Sequence, residues 1–276
     1  MCVSTGPAEF SQTILTIAKA IHPQSYRPVH VLGYQNTARS LLPFGGNAML
    51  LHFPSRGMSR HNVIETKAFP NCLKDQVEAV RPQSRAKANF DLFGAVAAGP
   101  VEIFDSGIYT VVLAQNPEDI PRVLHRVPAE KRPNLNEQLF AWYGARFPNW
   151  SFALCCFNNS DAVDADPMLW WYDPNLHREQ FMLPSIDCHT GAVPDLDRAV
   201  EVDHWVILGD RERRSPYMQE VKYSEARAMS KLARALLPKW VIGRKFVGTL
   251  PNTDFIFPVD ALNTGKPDLI KRELLT

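Results

Sequence analysis

Short apolar runs, several of them alternating with polar residues, recur along this chain and are separated by proline, glycine and asparagine. Runs of this length with such boundaries are typical of β-strands. They predict strands at 13–21, 29–36, 48–53, 150–157, 168–172, 179–186, 201–209, 245–250 and 254–259. The segment 101–114 predicts two strands around the turn Asp105-Ser106-Gly107, because glycine adopts the positive φ that a tight turn requires.

Helical spacing of apolar residues replaces this pattern in four segments. It predicts helices within 72–98, 116–127, 134–147 and 224–237. The first is interrupted at Pro82. The last is the strongest, because it is rich in alanine and leucine, with Ser224 as the expected N-cap and Glu225 in the first turn.

The order of these elements predicts the fold class. Strands are followed by helices in two rounds without a regular βαβ alternation, which favours an α+β fold. We expect antiparallel or mixed sheets built from repeated hairpins, with a few packed helices. We expect residues 1–100 to form a strand-rich half with one helical segment and residues 101–276 to form a second α+β half. The two halves are expected to share one continuous core.

Two segments resemble each other within the chain. "NAMLLHFPS" (47–55) and "DPMLWWYDP" (166–174) both place an Asx residue before Met-Leu and an apolar run that ends at proline. Asparagine and aspartate favour turn conformations, and proline ends a strand where no amide donor is needed. The pattern predicts an internal repeat of two similar hairpins, and it does not indicate catalysis.

A resemblance to a known family follows from a longer series of segments. "HVLGYQN … NAMLLHFPS", "IYTVVLAQNPEDIPRVLHRV", "LNEQLFAWYGARFPNWSFALCCFN" and "MLWWYDPNLHREQFMLPSI" together resemble the bacterial family catalogued as domain of unknown function 2330. The resemblance spans roughly residues 29–184 and includes no rare catalytic signature. Family members look exported, whereas this chain begins "MCVST" without a signal. The resemblance implies no established activity.

Composition and charge narrow the functional classes. The chain of 276 residues is 45% hydrophobic and 21% charged, and it has a net charge of +1 without a long basic run, so no nucleic-acid partner is expected. It contains no apolar stretch long enough to span a bilayer and no secretory signal, so we expect a cytoplasmic protein without a membrane partner. The common nucleotide, serine-hydrolase and zinc-protease motifs are missing from the sequence, and no cofactor is expected.

Cys2 is one candidate for chemistry. Removal of Met1 would leave a free α-amine on a nucleophilic thiol, which is the arrangement of N-terminal-nucleophile hydrolases. The arginine and aspartate that cysteine enzymes of this kind place further along are missing here, since Lys19 is the only charged residue between Phe10 and His22. A cysteine amidohydrolase therefore competes with a structural role for Cys2.

A second candidate is the polar segment 185–205. Asp187, His189 and His204 are residue types that bind zinc or manganese or that serve in acid–base catalysis. Asp187 and His189 share one side of an extended chain, whereas the adjacent Asp203 and His204 point to opposite sides. A metal- or carboxylate-assisted hydrolase competes here with a polar loop that ties two strands together.

The leading hypothesis is a non-enzymatic binding or assembly protein. Trp170, Trp171 and Tyr172 are consecutive on a predicted strand, so at least one aromatic side chain lies on each face. If one face covers the core, the other offers aromatic surface to a protein partner or to a second copy of the chain. Five cysteines without a C-x-x-C pair indicate reduced thiols, and Cys155 and Cys156 are expected to be buried on opposite faces of their strand.

Overall fold

The computed structural model describes residues 3–81, 101–175 and 177–265, which form an α+β fold. In chain order the strands are β1 (Val3–Ser4), β2 (Ala8–Ile21), β3 (Pro28–Ser40), β4 (Asn47–Phe53), β5 (Val63–Ile64), β6 (Val101–Ser106), β7 (Tyr109–Ala114), β8 (Ser151–Phe157), β9 (Val163–Asp164), β10 (Met168–Tyr172), β11 (Gln180–Leu183), β12 (Ala199–Asp210), β13 (Gln219–Glu220), β14 (Trp240–Pro251) and β15 (Phe255–Pro258). The α-helices are α1 (Cys72–Val80), α2 (Ile120–Val123), α3 (Glu137–Arg146), α4 (Lys231–Leu236) and α5 (Ala261–Thr264). The predicted fold class is confirmed.

Three sheets organise these strands. An eight-stranded sheet has the order β13-β14-β12-β2-β3-β10-β5, with β9 also paired to β3, and a five-stranded sheet has the order β1-β4-β8-β7-β6. Strands β11 and β15 form a third, small sheet. The large sheet is mixed, because β2 and β12 run parallel while its other pairs are antiparallel. The two larger sheets each combine strands from 1–100 with strands from 101–276, and the small sheet lies within the latter range.

The buried side chains show how the layers stack. One apolar cluster includes Leu32 and Trp170 of the large sheet together with Leu51 and Val111 of the five-stranded sheet, so these two sheets pack face to face. The outer face of the five-stranded sheet packs against the region of α2 and α3. The outer face of the large sheet packs against α1 and α4. Both faces of each sheet are therefore covered in part, and a strand such as β4 is buried along its whole length.

The two resembling segments do not form hairpins. The first segment supplies β4, which pairs with β1 and β8 in the five-stranded sheet. The second supplies β10, which pairs with β3 and β5 in the large sheet, so each segment is a single strand and the two lie in different sheets. The physical reason is burial: all seven residues of β4 and all seven of β8 are buried, and a two-stranded hairpin could not cover both faces. True hairpins occur elsewhere, between β2 and β3 and between β6 and β7, the latter at the predicted turn with Gly107 at φ 56°.

The strongest predicted helix is shorter than its sequence suggests. Residues 224–229 form turns, and α4 begins only after Ser230, whose hydroxyl accepts a hydrogen bond from the Ala233 amide. Ser224 is not the N-cap, because its amide and hydroxyl donate to the Asp75 carboxylate, and the Glu225 side chain is fully buried. In the first predicted helix, α1 is present, and the part from residue 82 lies outside the described residues. No helix in the described ranges is long and apolar enough to cross a membrane.

The capping role of Ser230 gives a direct stability prediction. We expect Ser230→Ala to lower the free energy of unfolding by about 1 kcal/mol, because the Ala233 amide loses its acceptor at the start of α4. Ser230→Asp supplies another acceptor and should retain the stability of the unchanged chain. Urea unfolding followed by circular dichroism measures both. Equal stability of Ser230→Ala and the unchanged chain would show that this cap contributes nothing.

Candidate functional site

The structure separates the candidate residues that the sequence predicts. Cys2 lies outside the described residues, so the N-terminal-nucleophile hypothesis stays a prediction. The adjacent Val3 is buried, where it pairs with Leu50 of β4 and forms a parallel bridge with Cys188. Cys155 and Cys156 are buried in separate apolar clusters on the two faces of β8, as predicted. Burial raises the pKa of the Cys156 thiol to about 12.

Asp187 and His189 are brought together, and His204 is not part of their group. His189 Nε2 lies 2.7 Å from Asp187 Oδ1, and both side chains are partly exposed. His204 is buried within β12. Across the described ranges, no group of three or more His, Cys, Asp and Glu side chains has the geometry to hold a metal ion. Of the predicted metal site, only the contact between Asp187 and His189 is therefore formed.

The aromatic triplet on β10 is mostly internal. Trp170 and Tyr172 point into the core between the two large sheets and are 1% and 0% exposed. Trp171 lies on the opposite face, partly buried, where its ring contacts His22 and its Nε1 donates to the His61 carbonyl. The expected aromatic surface is thus reduced to the edge of Trp171, because helix α1 and its neighbours cover much of that face of the sheet.

A groove of about 360 Å³ lies on the outer face of the large sheet, beside α1. We call it the α1 groove. Its walls come from α1, from the middle of β2 and β3, from β9, and from β12 and β14. The lining residues are Gln12, Ile14, Gln35, Asn36, Thr37, Lys74, Val77, Glu78, Arg81, Asp164, Asp203, Trp205 and Lys245.

A β-bulge shapes the groove at its β2 wall. The register between β2 and β3 shifts between Ser11 and Ile14, so β2 carries one extra residue here relative to β3. Gln12 has a left-handed backbone with φ 52°, which is uncommon for a residue other than glycine. Its side chain is exposed. Strained positions of this kind concentrate at functional sites, and the bulge directs an amide group toward the groove.

The charges around the groove balance. Lys74 Nζ lies 3.2 Å from Asp164 Oδ2, Lys245 Nζ lies 2.5 Å from Asp203 Oδ1, and Arg81 pairs with Glu78. The hydrogen bond from the Thr37 hydroxyl lowers the pKa of Asp164, and Lys74 lowers it further against the opposing effect of partial burial. The rim therefore carries three cations and three anions in paired positions.

The wall and floor of the groove combine apolar surface with amide groups. Ile14 and Val77 are buried, and the Arg81 guanidinium lies 5.3 Å from the centre of the Trp205 ring. Gln35 is buried, and its Nε2 donates to the Ala165 carbonyl at 2.9 Å. Its Oε1 makes no hydrogen bond within the described residues, and an unpaired buried acceptor costs about 1–3 kcal/mol. A donor group that enters beside Gln35 would remove this cost.

The sequence pattern did not predict the α1 groove. One wall of the groove can be inferred from the sequence, because Lys74, Glu78 and Arg81 fall at intervals of four and three residues and so share one face of a helix. The remaining contributors come from strands that are far apart in sequence, and the bulge that separates Ser11 from Ile14 leaves no distinctive motif.

Comparisons with known proteins identify structures of low similarity. No family model matches the chain, and no curated protein matches it. Among solved structures, the crystal structure of baculovirus P35 matches over 95% of this chain and 92% of that chain, with 14% identity and a TM-score of 0.40. A mutated baculovirus P35 after caspase cleavage matches over 91% of this chain and 92% of that chain, with 12% identity and a TM-score of 0.37.

Proposed function

We propose that this chain is a non-enzymatic binding protein and that the α1 groove receives an extended segment of a protein partner. The observation that carries the proposal is the balanced ring of three ion pairs around an apolar and amide-lined floor. A ligand of one charge sign would meet repulsion and attraction in equal measure at this rim. A polypeptide supplies both signs, apolar side chains and backbone amides, so it complements every part of the surface.

The bulge and the unpaired amide support a peptide ligand in particular. Gln12 presents a side-chain amide that can both donate and accept a hydrogen bond, and Gln35 has an acceptor oxygen without a partner in the described ranges. A peptide backbone also carries one donor and one acceptor per residue, so it can match both groups. The exposed ion pairs contribute little to the stability of the fold, which leaves their charges available for recognition.

Peptide selection followed by charge reversal tests this proposal. Peptides selected from a random displayed library should bind the purified chain, and Lys74→Glu with Lys245→Glu should weaken them about tenfold, because the rim becomes acidic. The matched control is Lys67→Glu with Lys222→Glu, which makes the same charge change at exposed positions outside the groove. Calorimetry measures the affinities, and thermal unfolding checks that both variants fold.

Two results of the selection experiment would contradict the groove proposal. One is that the selected peptides bind the groove variant and the control variant equally well. The other is that no peptide is selected and the purified chain remains a monomer at all concentrations, since the groove would then receive neither a peptide nor a second copy. A dimer that dissociates only in the groove variant identifies the second copy as the partner.

A specific contact favours hydrolysis as a second candidate function. The carboxylate of Asp187 lies 2.7 Å from the imidazole of His189, although the two atoms do not have hydrogen-bond geometry. A rotation of the imidazole would turn this contact into the hydrogen bond that orients a general base. If this pair serves a metal- or carboxylate-assisted hydrolase, Asp187→Ala and His189→Ala should each abolish turnover of ester or amide substrates without unfolding the chain. Absence of any turnover in the unchanged chain, together with no stoichiometric metal by elemental analysis, would exclude it.

A further inference from the structure

A second surface, separate from the α1 groove, concentrates positive charge. Residues 211–239 contain eight basic and three acidic residues, a net charge of +5, in a chain whose total is +1. One of the three acids, Glu225, is fully buried and accepts hydrogen bonds from Asn71. The exposed surface of this segment is therefore strongly basic, while the rest of the chain is acidic in net charge.

These residues surround a cleft of about 290 Å³ beside α4 and the edge strand β13. We call it the basic cleft. Its lining residues are Arg211, Glu220, Val221, Tyr223, Ala226, Met229, Arg234, Leu237, Pro238 and Lys239. Three cations thus border a lining that is otherwise mostly apolar, with a single carboxylate among them.

The arginines of the cleft are held in place by main-chain carbonyls. Arg211 Nε donates to the Arg234 carbonyl at 3.0 Å, and Arg234 donates through Nε to the Met229 carbonyl and through a terminal nitrogen to the Arg227 carbonyl. Each of these guanidinium groups has remaining N–H groups for a ligand. Because the side chains are already ordered, binding an anion costs less conformational entropy than it would at free surface arginines.

We propose that the basic cleft binds an acidic peptide segment of a partner protein, with an apolar side chain in the cleft and carboxylates at its rim. Val221, Met229 and Leu237 belong to the apolar cluster below α4 and form the apolar part of the cleft lining. This lining favours a peptide over a polyphosphate, because a polyphosphate has no apolar group to place against it. The indole ring of the neighbouring Trp240, on which a nucleic-acid base could stack, is already in contact with two cations. Arg214 lies 4.9 Å and Lys239 5.6 Å from the centre of the Trp240 ring.

Fluorescence anisotropy with a defined probe tests this surface. The probe is a fluorescein-labelled peptide of about twelve residues, with Leu-Phe at its centre and aspartate and glutamate on both sides. We expect saturable binding that weakens with added salt, and a loss of about tenfold in Arg211→Glu with Lys239→Glu. Both side chains line the basic cleft, and thermal unfolding verifies that the variant folds.

Matched controls establish whether the peptide binds at the basic cleft. Lys74→Glu with Lys245→Glu makes the same charge change in the α1 groove and should leave this probe's affinity unchanged, so failure here is distinct from failure of the groove proposal. Replacing Leu-Phe by Ser-Ser should also reduce the affinity about tenfold, because the apolar lining loses its ligand. Equal binding of the Ser-Ser peptide, or tighter binding of a single-stranded oligonucleotide, would overturn the proposal.

Discussion

Replacing Asp254 with alanine is expected to lower the free energy of unfolding by about 3–5 kcal/mol, the largest single loss that the structure predicts. Asp254 is buried immediately before β15. Its Oδ2 lies 2.7 Å from His52 Nε2, and its Oδ1 accepts hydrogen bonds from the Ser185 amide at 2.7 Å and the Ile186 amide at 3.2 Å. Alanine would leave all three donors buried without their acceptor.

The position of Asp254 explains why this loss is not confined to one loop. His52 belongs to β4 of the five-stranded sheet, where its ring stacks on Phe147 at 4.4 Å. Ser185 follows β11, the partner strand of β15. Burial acts to raise the pKa of Asp254, but His52 and the two amide hydrogen bonds outweigh burial and lower it. The ionised carboxylate therefore joins three segments of the fold.

Chemical denaturation with matched variants isolates this effect. Asp197→Ala removes a carboxylate from an exposed position and should change the free energy of unfolding by less than about 0.5 kcal/mol. Asp254→Asn keeps an acceptor oxygen for the amides and should lose less than Asp254→Ala. A loss below about 1 kcal/mol in Asp254→Ala would show that the buried contacts are not maintained in solution.

The sequence predicts the strands of this fold better than their pairing. Apolar runs locate β4, β8 and β10 closely, because these strands are buried on both faces and are apolar for nearly their whole length. Their partners depend on which sheet covers each face, and that information is not local. The segment 224–229 shows the same limit, since high helix propensity is outweighed by the contacts of Ser224 with Asp75 and of Glu225 with Asn71.

The candidate sites, like the strands, are predictable only where their contacts are local in sequence. The contact of Asp187 with His189 is predictable because two residues on one side of an extended chain lie close together. The interior position of Trp170 and Tyr172 could not be predicted, because alternation assigns faces and does not say which face is covered. The α1 groove needs ion pairs such as Lys74 with Asp164, whose members are ninety residues apart. Only the tertiary fold brings them together.

Acidification should destabilise this protein through His30, which is buried in β3 between the two large sheets. Its ring lies 5.0 Å from Phe181 and 5.9 Å from Tyr172, measured between ring centres. Burial, together with a smaller effect of the charge of Lys19, lowers the pKa of His30 from 6.5 to about 3. Between pH 6.5 and about pH 3, the imidazole of His30 therefore stays neutral in the folded state, whereas it is protonated in the unfolded state.

The direction in which pH changes the free energy of unfolding follows from the proton uptake of the two states. Between about pH 6.5 and pH 3 the unfolded chain binds more protons than the folded chain, so the stability contributed by neutral His30 is present above pH 6.5 and falls as the pH decreases. Near pH 4.5 the unchanged chain should have lost roughly 2–3 kcal/mol through this residue alone. His30→Gln cannot titrate, so its free energy of unfolding should fall less steeply over the same range.

Urea unfolding from about pH 7 to pH 4.5 gives the slope of the free energy of unfolding against pH for His30→Gln and for the unchanged chain. Taking the difference between these slopes removes the contribution of carboxylates such as Asp254, which both proteins share. His61→Gln is the matched control, because His61 is exposed in the folded chain and its replacement should leave the slope unchanged. If His30→Gln and the unchanged chain lose stability in parallel, the imidazole must reach solvent in the folded state. The packing of β3 against β10 and β11 would then be looser than the contacts of His30 with Tyr172 and Phe181 imply.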